Sequence, residues 1–129
     1  MGPHIGGMPF TKARGLVVEH MTDAHSRITM PGDGANEDLD GGPHEGAVLA
    51  LLDTTGAMAA WAEVGPGPYK ASTPALQAQI LVPPRSGDLV AFGRVFQRDG
   101  AVLWSDVEVA AAATREVIAR GTVIYRIVT

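Results

Sequence analysis

The chain has 129 residues, no cysteine, a formal net charge of −4 and 46% hydrophobic residues. That length suits one domain with a core of its own, and the apolar share excludes wholesale disorder. The missing cysteine excludes a disulfide scaffold, thiolate zinc and cysteine catalysis. An acidic balance with 5% aromatic residues argues against nucleic-acid and anionic-membrane partners.

Residues 1–15 read as a flexible tail without a leader-like apolar run. Leu16 to Met30 places Val17, Val18, Ile28 and Met30 on either side of Asp23-Ala24, so two strands about a turn, or one bent strand, are expected. Pro31 to Pro43 is rich in Gly and Pro, holds four carboxylates, and reads as a loop.

His44 to about Glu63 reads as the one long helix, ended by Gly65 and followed by Pro66 and Pro68. Its apolar residues run all the way round, as in a helix wrapped on most sides. The stretch Gly46 to Ala62 carries Asp53 at its middle, which argues against a membrane span. The expected location is the cytoplasm.

The rest of the chain reads as strands. Ser72 to Val82 alternates in part, Pro83 to Gly87 turns, and Asp88 to Gln97 alternates again. Arg98-Asp99-Gly100 is a hairpin signal, because Asp-Gly tolerates positive φ. Ala101 to Ala112 puts Leu103, Ser105, Val107 and Val109 on one face, and after a turn at Thr114 to Glu116 a last strand runs from Val117 to Val128. The expectation is an α+β domain over residues 16–129, in which an antiparallel sheet of five to six strands, ending in a four-strand meander, curls round the helix.

The segment His44-Glu45-Gly46-Ala47-Val48-Leu49-Ala50-Leu51-Leu52-Asp53, the Pro-Pro-x-x-Gly-Asp turn from Pro83 to Asp88, and the Asp-Gly hairpin resemble the hotdog-fold acyl-CoA thioesterases of the phenylacetate-degradation type. The family motif is His-Gly-Gly, six residues, then Asp. Here Glu45 replaces the first Gly, which bears on the shape of the oxyanion site. Asn36 lies eight residues before His44, where the family keeps an Asn about six before, so it is not carried over.

The resemblance implies hydrolysis of an acyl-CoA to free acid and CoA, with no cofactor beyond the CoA of the substrate. Asp53 would be general base or nucleophile, and Thr73 would position the attacking water. His44 would belong to the same site, and the amides of Glu45 and Gly46 at the helix N-terminus would hold the oxyanion. Pro83, Pro84, Arg85, Arg98 and Gly100 would bind CoA. Two other readings on this fold are a non-catalytic acyl-thioester binder and a hydratase or dehydratase.

His44 and Asp53 are nine residues apart, which in a helix is about 13.5 Å and two and a half turns, so they face opposite sides. A site using both needs two chains related by a twofold axis. Such an axis would also pair exposed sheet edges. A homodimer with two shared sites is therefore expected, and the family also pairs dimers into tetramers.

Overall fold

The computed structural model describes residues 15–32, 45–65, 67, 69–82 and 87–128. The tail at 1–14, the acidic loop, His44 and the Pro83-Pro84-Arg85 turn lie outside them. Six strands and one helix follow in the order β1 (Val17–Thr22), β2 (His25–Met30), α1 (Glu45–Val64), β3 (Lys70–Ile80), β4 (Leu89–Asp99), β5 (Val102–Ala111) and β6 (Val117–Val128). β1 and β2 form a true hairpin rather than one bent strand. Asp23 and Ala24 both take positive φ, 53° and 63°, as the tightest hairpin turns require. Gly100 does the same at 60° between β4 and β5.

All six strands form one antiparallel sheet in the order β1-β2-β4-β5-β6-β3. This corrects the expected four-strand meander. Only β4, β5 and β6 meander, while β3 crosses to the far edge beside β6. Alternation assigns the faces of a strand but not its neighbours. Pro74 inside β3 is consistent with the edge, because it cannot donate to a ladder on both sides.

The helix ends where Gly65, at φ 89°, turns out of it, its N–H closing a last bond to the Trp61 carbonyl. Val48, Leu51, Leu52 and Met58 bury against Ile28, Met30, Leu103, Val107, Val123 and Ile127 of the sheet. Each such side chain contributes about 1.5–3 kcal/mol by leaving water. By length and composition α1 could cross a membrane, yet 61% of its most apolar window is buried inside the protein.

Helix and sheet approach closely at the middle of α1. Ser26 Oγ on β2 donates to the Thr55 carbonyl at 2.6 Å, and Ser105 Oγ on β5 donates to the Gly56 carbonyl at 3.0 Å. Both serines are buried, so each bond also satisfies a hydroxyl that would otherwise be costly. A Cβ on Gly56 would lie 2.5 Å from Val123 Cβ, and one on Gly93 would lie 2.9 Å from the Thr55 carbonyl oxygen.

Gly56→Ala weighs a helix-propensity gain of about 1 kcal/mol against an overpacking cost of about 1–3 kcal/mol. The backbone and β-carbon of Val123 cannot yield easily, so the expected result is a lower denaturant midpoint with an unchanged slope. A raised midpoint would mean that helix and sheet have room to part.

Candidate active site

The N-terminal half of α1 leaves one stripe uncovered by the described residues. Gly46 and Leu49 are exposed, and Asp53, at the matching i+7 position, is half-buried. The next two turns, Thr55 to Trp61, are buried throughout. Asp53 thus stands where the helix passes from open surface into the core.

Asp53 Oδ1 accepts a hydrogen bond from Thr73 Oγ1 at 2.9 Å. The neighbouring Thr55 takes no part, since its hydroxyl bonds back to the Leu51 carbonyl at 2.7 Å. Thr73 is brought there by an irregularity in the ladder. Ser72 pairs with Arg126 and Ala75 with Ile124, so Thr73 and Pro74 together oppose the single residue Tyr125. Such a bulge bends the strand and re-aims a side chain.

Burial pushes the Asp53 carboxyl above its ordinary pKa, and the Thr73 hydrogen bond takes back part of that rise. A carboxylate is poorly solvated there, and one donor is too few to compensate fully. Tyr125 lies in the same neighbourhood. Its phenol is also raised, first by burial, then against the opposing bond from Trp61, with a further rise from the charge of Asp53. Trp61 Nε1 donates to the Tyr125 hydroxyl oxygen at 3.2 Å, and the Trp61 ring stacks on Tyr69 with centroids 5.9 Å apart.

The structure therefore brings Asp53 and Thr73 together and adds Tyr125, Trp61 and Tyr69, which sequence reasoning missed. Pro74 hinted at the bulge, but placing Tyr125 opposite it needs the β3–β6 register. Of the other expected residues, the described ones lie elsewhere, and His44, Pro83, Pro84 and Arg85 are outside the described residues. Glu45 and Gly46 are exposed at the start of α1, about 10 Å along the helix axis from Asp53. Arg98, at the other end of the helix, bonds Glu63 at 3.3 Å and the carbonyl of Gly100 at 3.2 Å. Its charge is thus already engaged, though only at the surface. A cleft of about 580 Å³ opens on the sheet face away from the helix, lined by His25, Phe92, Asp106 and Arg120 among others, and includes neither Asp53 nor Thr73. Among the described residues no cluster of His, Asp and Glu could hold a metal ion.

No protein-family model matches the chain, and no curated protein matches its sequence. Solved structures do. A thioesterase from Haemophilus influenzae superposes with a TM-score of 0.86 at 16% identity, over 96% of this chain and 85% of that one. A mutant thioesterase from Staphylococcus aureus gives 0.85 at 15%, over 95% and 100%. The PaaI protein of the phenylacetic acid degradation operon of Escherichia coli gives 0.81 at 18%, over 95% and 86%. The fold is the hotdog fold. The expected architecture, one long helix wrapped by an antiparallel sheet, is borne out with six strands.

Within this hotdog domain Asp53 should oppose stability once ionised. Its raised pKa means that the folded state holds the proton at pH values where the unfolded chain has lost it. Stability therefore falls as pH rises from the ordinary carboxylate value through the raised one. Asp53→Asn keeps an oxygen for Thr73 and removes the charge. It should melt higher than the wild type at neutral pH, and the gap should close below about pH 4. A gap independent of pH would locate its cause outside the ionisation of Asp53.

Proposed function

We propose that this hotdog protein hydrolyses an acyl-CoA thioester, with Asp53 as the group that acts on water or on the thioester carbonyl. The observation that carries the reading is the Asp53–Thr73 pair: a half-buried carboxylate of raised pKa, fixed by a hydroxyl, at the end of an uncovered helix stripe. A carboxylate that is hard to ionise is a stronger base once ionised, which suits proton abstraction near neutral pH. Thr73 engages Oδ1 and fixes the carboxylate plane, so that Oδ2 can face the reacting water. Water adds to the thioester carbonyl, Asp53 takes its proton, and collapse of the tetrahedral intermediate expels CoA thiolate, which takes up a proton. The products are the free acid and CoA. In the nucleophilic variant Asp53 attacks the carbonyl itself, the C–S bond breaks to release CoA thiolate, which takes up a proton, and water then cleaves the resulting anhydride to the free acid and the Asp53 carboxylate.

Charge on the carbonyl oxygen needs donors, and the amides of Glu45 and Gly46 stand at the helix N-terminus, where N–H groups point out of the helix. The amides of Glu45 and Gly46 lie too far along the axis to serve Asp53 of their own chain. We therefore place them, with His44, in a site completed by a second copy, whose binding would also cover the Gly46–Leu49–Asp53 stripe. Glu45 contributes its N–H to this arrangement, and its carboxylate is a favourable first-turn charge. CoA would be held by Pro83, Pro84, Arg85, Arg98 and Gly100, with Arg98 exchanging Glu63 for phosphate.

Thiol release from a panel of short, long and aryl acyl-CoAs tests the chemistry. Asp53→Ala should lose about 10²–10⁴-fold in kcat, and Thr73→Ala less. Wild-type turnover in Asp53→Ala removes Asp53 from the chemistry, whereas a wild type that retains acyl-CoA without releasing thiol is a binding protein instead. Mixing Asp53→Ala subunits with His44→Ala subunits should restore one intact site per mixed dimer. Verified exchange without recovered activity would refute the shared site.

A further inference from the structure

The aromatic group beside Asp53 has an unspent donor. Tyr125 receives the Trp61 indole N–H on its oxygen, which fixes the phenol by one lone pair and leaves its own proton to be given elsewhere. Among the described residues no acceptor takes that proton directly. Tyr125 sits opposite the two-residue bulge that delivers Thr73 to Asp53. Trp61 lies two turns beyond Asp53 on α1, and helical side chains lean toward the N-terminus, here toward Asp53.

We propose that Tyr125 is a positioning residue for Asp53: held by Trp61, its hydroxyl donates through one water to the Asp53 carboxylate. The inference rests on the reading of Asp53 as the reactive carboxylate, and it gives that group a second donor. Tyr125 would orient the bridging water and stabilise the ionised carboxylate, which burial otherwise disfavours. The charge of Asp53 in turn helps keep the phenol protonated, so the two groups are within electrostatic reach.

Of the other charged groups on α1, β3 and β6, Glu45 is exposed at the start of α1 and Arg120 of β6 pairs with Glu108 of β5 at 3.0 Å. Glu63 near the end of α1 pairs with Arg98 of β4. Lys70 on β3 and Arg126 on β6 are exposed, and Arg126, next to Tyr125 in the strand, points to the opposite face. Neither is among the causes of the shifts at Asp53 and Tyr125.

Tyr125→Phe keeps the ring and deletes the oxygen. The titration of Asp53 can be followed without substrate by ¹³C NMR of labelled aspartate, with Asp53→Asn identifying the resonance. Loss of a donor to a carboxylate should move the Asp53 midpoint upward by about half a pH unit or more. The acid limb of kcat/KM should move up with it, so that the defect of Tyr125→Phe shrinks as pH rises. Trp61→Phe should move the midpoint in the same direction by less. A Tyr125→Phe protein that melts lower but titrates Asp53 at the wild-type midpoint overturns the proposal and leaves Tyr125 a packing residue. The titration does not depend on hydrolysis: active Asp53→Asn would remove the catalytic reading while the NMR midpoint still decides the role of Tyr125.

Discussion

The rest of the structure depends on how closely α1 is seated on the sheet. Two buried serines, on β2 and on β5 with β4 between them, reach the carbonyls of Thr55 and Gly56, and Gly56, Gly93 and Gly121 remove the side chains that would hold the layers apart. Leucine packing alone is tolerant of small shifts along a helix axis, because apolar contacts have no direction. Hydrogen bonds to two successive carbonyls are not tolerant in that way. They fix both the rotation and the height of the helix. Leu52, against Gly121 on one side, and Asp53, at the margin, then have no freedom to exchange roles.

That seating explains why a carboxylate is tolerated in the middle of an apolar helix. One position earlier, at Leu52, a charge would be fully buried and prohibitively costly. One turn earlier, at Leu49, it would be exposed and chemically ordinary. At Asp53 the environment is intermediate: burial raises the pKa and a single threonine restrains the rise. The stability lost there is the kind that active sites retain, because groups poised for proton transfer need unfavourable surroundings.

Much of this was legible in the residues. The expected helix, His44 to about Glu63, is Glu45–Val64; the alternation read in β5 is observed, with the Leu103-Ser105-Val107-Val109 face buried; and the last strand has the expected ends. Periodicity and turn chemistry are local, and they report local structure well. Strand order is not local, so β3 was expected beside β4 and lies beside β6. For the site, Asp53 stood out as a carboxylate in an apolar helix, the resemblance implied its role and that of Thr73, and their contact follows from a bulge that shifts one ladder by one residue. Tyr125 was missed, because nothing within its own strand connects it to Asp53.

The bulge also explains why Thr73 comes from an edge strand. Placing two residues, Thr73 and Pro74, against one breaks the ladder on the β6 side, and Pro74 removes a donor on whichever side it faces. In a central strand both neighbours would lose registry. At the edge only β6 is affected, and it answers with Tyr125, whose side chain the core can use. The same feature constrains any chain that adds to β3. An incoming strand would find the row of N–H groups interrupted at Pro74, so continuous pairing is available only along the regular stretch from Ala75 to Ile80. An edge shaped in this way resists indiscriminate strand addition and admits a partner in a narrow range of registers. Pro74, next to the residue that completes the Asp53 pair, thus also limits strand addition at this edge.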